Sequence, residues 1–257
     1  MRLRLAALLL ALLAAAAPAP AQETVVGGIS TDNIALTADF TGSEVLVFGA
    51  IRRDAPLAVG AAPLDIVITL KGPPRTVDVR RKERRFGIWL NAEAVRVRQA
   101  PSYYAVATTR PLDDILSETE RLRYGIGFDQ AVRRVGAHPR LEDTTPFTEA
   151  LVRLRLEDGL YERLYGGVNL AEQTLFYARF TLPTNLVEGR YAAQYFLVRD
   201  REVISTGETT ITVQKAGIER WLYNLARERP LAYGLLAVAL AILAGWLAAA
   251  VFRLARR

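Results

Sequence analysis

The chain has 257 residues, with 33 lysines and arginines against 27 acidic residues, no cysteine, a single methionine at Met1 and a single histidine at His138. Without thiols, zinc fingers, iron–sulfur clusters, thiolate copper sites and cysteine nucleophiles are excluded. A carboxylate-only calcium or magnesium site stays open, but the chain has no D-x-[DN]-x-[DN]-G loop, and we expect no metal and no other cofactor. The basic excess does not indicate nucleic-acid binding, because residues 22–229 hold 28 basic and 27 acidic side chains and the surplus lies at the two ends.

The chain begins with the pattern of a secretory signal peptide. Arg2 and Arg4 precede an apolar run from Leu5 to Ala17, and Ala19-Pro20-Ala21 has the small residues of a cleavage site. We therefore expect residues 1–21 to be removed. A retained membrane anchor is the alternative, but an apolar run of 13 residues followed by prolines is short for a span.

Short strands separated by turns are predicted over residues 22–109. Ile34 to Phe40 alternates between apolar and polar positions, and Glu44 to Ile51 is a short apolar run typical of a buried strand. Further strands are predicted over 64–70, 77–80, 84–90, 95–98 and 103–108. This spacing favours a mainly β protein with an antiparallel, immunoglobulin-like β-sandwich as its N-terminal lobe.

The densest charged segment of the chain lies within this lobe, at residues 80–85. Clustered guanidinium groups could bind an anion or an acidic partner. A solvated hairpin turn between Val79 and Phe86, with charges that discourage edge aggregation, is the alternative that we favour. We expect nearby Trp89 to lie in the core or at the sandwich edge. The candidate contact residues are Arg80, Arg81, Lys82, Arg84 and Arg85.

Helical periodicity replaces the strand pattern over residues 110–167. Asp113-Asp114 would lie in the first turn of one helix, where acidic side chains complement the helix dipole. Thr145-Pro146 has the pattern of a second helix start. That helix is predicted to continue, with a kink at Gly159, as far as Gly166-Gly167.

His138 is the only possible imidazole base, and it lies in a predicted loop before Pro139. Glu142 and Asp143 could orient it, but the chain has no G-x-S-x-G nucleophile elbow. We therefore predict no catalytic residue and no enzymatic activity. A carboxylate-based hydrolase on the periplasmic side remains the alternative function.

Strands return over residues 168–216. Segments 175–182, 190–199 and 202–213 are long, and the second of them is apolar on both faces, which predicts a central strand. Whether these strands complete the first sandwich or form their own is open in the sequence. We favour two β lobes, 22–109 and 168–216, joined by the helical region.

The C-terminal part predicts attachment to a membrane. Residues 217–230 form an amphipathic segment, and Trp221, Tyr223 and Tyr233 are expected at headgroup depth. Residues 231–252 carry no charge, and at 1.5 Å per residue they give a helix of roughly 33 Å, enough to span a bilayer core. After export, residues 253–257 would lie in the cytoplasm and the β domain in the periplasm, anchored in the bacterial inner membrane.

Small residues recur every four positions inside this predicted span. They are Ala237, Ala241, Gly245 and Ala249. Such a stripe lets a second helix approach closely, although the high alanine content of the segment could produce the same pattern by chance.

Several short motifs together resemble one known family. They are Arg81-Lys82-Glu83-Arg84, Gly87-Ile88-Trp89-Leu90-Asn91, Pro101-Ser102-Tyr103-Tyr104, Arg229-Pro230, Tyr233-Gly234 and Gly245-Trp246. In this combination the chain resembles the Alph_Pro_TM family of alphaproteobacterial transmembrane proteins, whose molecular function is not established. The resemblance implies a single-span membrane protein and provides no catalytic residues. Family members are often encoded beside a sulfite-exporter-type permease, which implies a transport partner.

The sequence thus predicts a membrane-anchored, non-catalytic accessory or interaction subunit. Its expected partners are membrane lipid and an integral membrane protein, such as a sulfite-exporter-type transporter, and not nucleic acid. A ligand sensor is disfavoured, because the five-residue tail leaves no room for an output domain.

Overall fold

The computed structural model describes residues 23–37, 40–54, 62–132, 144–215 and 218–255. The expected signal peptide (1–21) and His138 lie outside these residues. The strands are β1 Glu23–Ile29, β2 Asn33–Leu36, β3 Ser43–Arg53, β4 Asp65–Lys71, β5 Pro74–Arg85, β6 Ile88–Pro101, β7 Tyr104–Thr108, β8 Tyr161–Tyr165, β9 Asn169–Ala171, β10 Leu175–Leu182, β11 Gly189–Arg199 and β12 Glu202–Lys215. The helices are α1 Leu112–Ile115, α2 Glu118–Tyr124, α3 Phe128–Val132, α4 Thr145–Glu157, α5 Ile218–Glu228 and α6 Pro230–Ala255.

The protein is mainly β, and its strands form two larger sheets and one hairpin. The four-stranded sheet has the order β1-β3-β10-β9, and the six-stranded sheet has the order β2-β12-β11-β4-β7-β8. Strands β5 and β6 pair only with each other among the described residues. The immunoglobulin-like, fully antiparallel arrangement is not confirmed, because β2 pairs with β12 and β7 pairs with β8 in parallel.

The expectation of two separate β lobes is wrong. Strand β3 from the first predicted lobe pairs with β10 from the second, and β4 pairs with β11 in the same way. The physical reason is burial, because β4 and β11 are apolar on both faces and need cover on each side. The four-stranded sheet covers one face of these strands, and helices α1–α4 with the base of the β5–β6 hairpin cover the other.

The two larger sheets share one hydrophobic core. Alternate residues of β10, such as Phe176 and Phe180, face alternate residues of β4 and β11, such as Ile68 and Tyr195. The sheets approach closely at Gly27, where an added Cβ would collide with the Tyr195 ring.

A second core lies on the other face of the six-stranded sheet. Val67, Tyr104 and Phe196 point away from the first core and are covered by helices α1–α4 and by the base of the β5–β6 hairpin. Strand β11 therefore lies between β12 and β4 with both faces buried. The prediction of a central strand over residues 190–199 is confirmed.

The predicted kink at Gly159 is instead the end of helix α4. Gly159 has φ +69°, and its N–H donates to the Leu156 carbonyl at 3.1 Å, while the Leu160 N–H donates to the Arg155 carbonyl at 2.9 Å. This pair of bonds is a Schellman motif, in which a left-handed glycine terminates the helix. The chain then leaves in an extended conformation as β8, so residues 161–165 form a strand and not a helix.

The chain ends in two helices. Helix α5 is followed by Arg229, and α6 begins at Pro230, a favoured residue for the first helical position. Residues Pro230–Ala249 have a mean hydropathy of 2.2 and none of that window is buried in the protein. Helix α6 is therefore long and apolar enough to cross a membrane, as predicted for residues 231–252.

Candidate functional site

The β5–β6 hairpin extends the predicted basic segment away from the body of the protein. Val79 and Val95 form the last pair that is buried in the second core. Six more residues on β5 extend the hairpin by about 20 Å beyond that pair, at about 3.4 Å per residue. The hairpin closes at Phe86-Gly87, with φ of +52° and +83°, as a type I′ turn requires.

One face of the distal hairpin neutralises its own charge. Arg81 contacts Glu83 at 3.1 Å and Glu93 at 3.0 Å, and Arg85 contacts Glu83 at 3.0 Å. Hydrogen bonds from Arg85 and then from Arg81 lower the pKa of Glu83. These four side chains continue the line of Val79 and lie on the core-facing side of the hairpin.

The opposite face of the distal hairpin carries Arg80, Lys82 and Arg84. Arg80 interacts with Asp78, whose carboxylate also accepts from Arg96 at 2.7 Å. Within the described residues, Lys82 and Arg84 have no carboxylate partner. The basic run is therefore the distal part of strand β5 and not the turn itself, which corrects the turn assignment between Val79 and Phe86.

The end of the hairpin exposes large apolar side chains. Phe86 is fully exposed (103%), Trp89 is 67% exposed, and Ile88 and Leu90 are also exposed. Trp89 lies opposite Arg84 in the hairpin register. The expectation that Trp89 lies in the core or at a sandwich edge is wrong, because the hairpin carries it past the last buried pair.

A second exposed surface lies on the outer face of the four-stranded sheet. The register places Val26, Ala50 and Leu175 in one row across the sheet, and Phe48 and Tyr177 in the next. The four large side chains of this set are exposed. We call these five residues the apolar strip; an ion pair between Arg179 and Glu44, at 3.3 Å, lies farther along the same strands.

Two cavities of the described residues differ in their charged lining. A cavity of about 650 Å³ is lined by the cations Lys71, Arg123 and Arg190 with glycines, prolines, Tyr124 and uncharged side chains, and no acidic residue contributes to it. A smaller depression is lined by Asp65, Asp114 and Asp200 beside Arg110 and Arg201, and the Asp65 carboxylate is engaged by Arg110 and by the Thr109 hydroxyl. Among the described residues, no group of acidic or histidine side chains could hold a metal ion.

Buried tyrosines of the second core have structural partners. The Tyr104 hydroxyl accepts from the Gly127 N–H at 2.9 Å, and the Tyr161 hydroxyl donates to the Pro101 carbonyl at 3.1 Å. Burial raises the pKa of Tyr104 well above its usual range and raises the pKa of Tyr161 to about 12. Both hydroxyls are therefore protonated at neutral pH and pin loops to the sheet.

The membrane-proximal predictions fall on exposed positions. Trp221 and Tyr223 are exposed on α5, and the Arg227 guanidinium lies 5.2 Å from the Tyr223 ring centre. Tyr233 is exposed in the first turn of α6. The stripe of Ala237, Ala241, Gly245 and Ala249 is exposed along α6, and a Cβ added at Gly245 would meet nothing within 4 Å. A role for this stripe in helix packing stays a prediction.

The catalytic alternatives rest partly on residues that lie outside the described part of the chain. His138, Glu142 and Asp143 all fall there, so a role for His138 stays untested. Asp113 lies in the first turn of α1, as predicted, and pairs with Arg121 at 2.8 Å, which suits a structural role.

Comparisons with known proteins give a family match and a distant structural similarity. A family model described as "Putative transmembrane protein (Alph_Pro_TM)" matches residues 24–254. No curated protein matches the chain. A solved structure, the sporulation control protein Spo0M from Bacillus subtilis, is similar at 11% identity and a TM-score of 0.27, over 76% of this chain and 50% of that one. The chain therefore spans about half the length of that protein.

Proposed function

Because this chain belongs to the Alph_Pro_TM family, we propose that it is a single-pass membrane protein acting as a non-catalytic interaction subunit of an integral membrane protein. In this proposal the β domain lies in the periplasm, α6 crosses the bacterial inner membrane, and the C-terminal tail is cytoplasmic. The proposed partner is a transporter of the sulfite-exporter-permease type. The observation that carries the proposal is the apolar strip on the four-stranded sheet.

The apolar strip has no role in the core of this chain. Phe48 and Tyr177 alternate along their strands with Val47 and Ala178, which are fully buried. Positions that alternate with core positions can be polar without disturbing the core. Contiguous exposed apolar side chains on such positions favour a binding surface for another protein.

The small-residue stripe on helix α6 is a second feature that supports the same proposal. The stripe from Ala237 to Ala249 carries only small side chains at four-residue spacing. A helix of the partner could pack closely against it, while the apolar strip contacts an extracytoplasmic part of the same partner. Two contacts on one partner would reinforce each other, because the second forms within an existing complex.

Site-specific photo-cross-linking in native membranes tests the proposal. A photoreactive residue at Tyr177 is expected to capture one integral membrane protein, and the same residue at Thr181 is not. Thr181 is a matched control, because it is exposed on the same face of β10 but lies beyond the apolar strip. The variant Phe48→Glu should abolish the Tyr177 adduct, because a charged side chain in the strip would have to be desolvated on binding.

Two outcomes would contradict the proposal. Equal adducts from Tyr177 and Thr181 would show that the strip has no preference for a partner. Protection of the β domain when protease is added to intact spheroplasts would overturn the proposed topology.

The hydrolase alternative has no comparable support in the described residues. Its requirement is a cleft with two converging carboxylates, at separations typical of glycosidases. The cavity of about 650 Å³ is lined by cations and uncharged groups, and in the depression that holds Asp65, Asp114 and Asp200 the Asp65 carboxylate is already engaged by Arg110.

A further inference from the structure

We infer that the distal part of the β5–β6 hairpin, residues 80–91, inserts its end into the surface of a lipid bilayer that carries anionic headgroups. We call this segment the hairpin tip. The inference uses the membrane anchor of the proposed function but not the protein partner.

The first observation is the backbone conformation and exposure of the turn residue Phe86. Phe86 adopts φ +52° at a position where type I′ turns favour asparagine, and its side chain is fully exposed. A bulky residue in the left-handed region is an uncommon and strained choice. Strain of this kind, at a site where the side chain contacts nothing in its own protein, points to a role outside the protein.

The composition of the tip is the second observation. Four of the five residues from Phe86 to Leu90 are large and apolar, and only Gly87 interrupts them. The apolar groups are therefore concentrated at the outermost end of the hairpin. Trp is the residue most suited to the bilayer interface, where an apolar ring meets polar headgroups. The basic residues flank these apolar groups, with Arg85 opposite Ile88 and Arg84 opposite Trp89, and their long side chains can extend back toward headgroup phosphates.

The charge distribution is the third observation. Residues 74–101 carry eight basic and three acidic side chains, whereas the rest of residues 22–229 carries 20 basic and 24 acidic ones. Lys82 and Arg84 have no carboxylate partner among the described residues, and they share a face with Trp89. A lone cationic projection on an otherwise slightly acidic domain is complementary to an anionic bilayer surface.

The shape of the tip favours lipid over a protein partner. The tip is a narrow two-stranded projection, which gives a protein little surface to pack on unless that protein has a matching pocket. A bilayer accepts such a projection without a preformed pocket. Helix α6 would also hold the domain near lipid, so that tip insertion becomes an intramolecular second contact and needs little affinity of its own.

Depth measurement with a spin label tests this inference on the full chain. The natural chain has no cysteine, so Ile88→Cys gives a single labelling site at the tip, and Arg98→Cys gives a control at the exposed base of β6. Each labelled protein is reconstituted in vesicles of phosphatidylglycerol and phosphatidylethanolamine and mixed with excess protein-free vesicles. The tip can then reach a bilayer whichever way it points.

The label at position 88 is expected to gain contact with oxygen and to lose contact with a water-soluble nickel chelate, whereas the label at position 98 stays in water. Phosphatidylcholine vesicles should reduce this shift. So should the combined change Arg80→Gln, Lys82→Gln and Arg84→Gln, and separately Phe86→Asn, which suits the turn and preserves the hairpin. A water-exposed label at position 88 in anionic vesicles would overturn the inference. An equal shift in neutral vesicles would overturn the role of the headgroup charge.

Discussion

The body of the protein and the hairpin tip differ in how far their charged and aromatic side chains are buried and paired. In the body, the Glu23 side chain is 3% exposed and lies between Arg53, at 2.8 Å, and Arg199, at 2.9 Å. Phe176 and Phe180 lie fully buried between the sheets. In the tip, Arg84 has no carboxylate partner among the described residues, and Phe86 contacts solvent.

This difference separates the residues that hold the fold from those that are free to bind. A buried charge is stable only when its partner is present, so Glu23 ties β1 to β3 and to the end of β11. The tip has no such constraint, since it begins after the last buried pair of the hairpin. Its apolar and cationic side chains can therefore be explained by what they contact outside the chain.

Matched truncations of two phenylalanines should show the largest contrast. Phe180→Ala empties a fully buried position and is expected to lower the free energy of unfolding by about 3–5 kcal/mol. Phe86→Ala should change it by no more than about 0.5 kcal/mol, because the ring is exposed. Chemical denaturation of the mature chain in detergent measures both. A large loss for Phe86→Ala would show that the tip packs against the body.

Removing the carboxylate from a buried ion pair and from an exposed one should give the next largest difference in the free energy of unfolding. Glu23→Gln leaves Arg53 and Arg199 without their counter-charge, and we expect a loss of about 2–3 kcal/mol, below the full cost of a wholly buried pair because both arginines are partly exposed. The control is Glu44→Gln, which breaks the exposed pair with Arg179 and should cost less than about 1 kcal/mol. Equal losses would mean that burial does not distinguish these pairs.

Substitutions at the two left-handed positions, Gly159 and Phe86, should change the stability by smaller amounts and with opposite signs. Gly159→Ala should destabilise the protein by about 1 kcal/mol, because alanine is strained at φ +69°. Phe86→Asn should stabilise it slightly, because asparagine tolerates φ +52° better than phenylalanine does. Melting temperatures of the two variants check these signs. A loss of stability in Phe86→Asn would contradict the view that Phe86 is retained at a cost to the turn.

Local patterns in the sequence predicted much of this architecture. The strand at 175–182 and the central strand at 190–199 follow from alternation and from apolarity on both faces, and both are present. The long apolar helix at residues 230–255 follows from an uncharged stretch of sufficient length. These features depend on neighbours in sequence, so the pattern alone was sufficient.

Features that depend on distant contacts were missed. The pairing of β3 with β10 joins residues more than a hundred positions apart, and no local pattern encodes it. The sequence predicts that the helix beginning at Thr145 continues to Gly166, and the left-handed Gly159 ends it instead. Trp89 is expected in the core or at the sandwich edge, but the length of the hairpin carries it beyond the core. The strain at Phe86 was a signal only once its turn geometry was known.

The smallest expected effect is the difference between the pKa values of Glu162 in the body and Glu83 in the tip. Burial raises the pKa of Glu162 in the body above its ordinary value of 4.5, although the Tyr103 hydroxyl donates to it at 3.4 Å, whereas hydrogen bonds from Arg85 and Arg81 lower the pKa of Glu83. The folded body thus binds the Glu162 proton more tightly than the unfolded chain does. Its contribution to stability is full at acid pH and is lost as the pH rises through the folded-state pKa.

Glu83 has the reverse dependence, since its contribution is present above the unfolded-state pKa and is lost as the pH falls through the lower folded-state pKa. Carboxyl carbon NMR of the mature chain should therefore find Glu162 titrating above 4.5 and Glu83 below it. Glu162→Gln should remove the loss of stability above 4.5, and Glu83→Gln should leave that part of the profile unchanged. If both groups titrate on the same side of the ordinary value, the contrast is wrong. It requires burial to raise the pKa of Glu162 and neighbouring arginines to lower the pKa of Glu83.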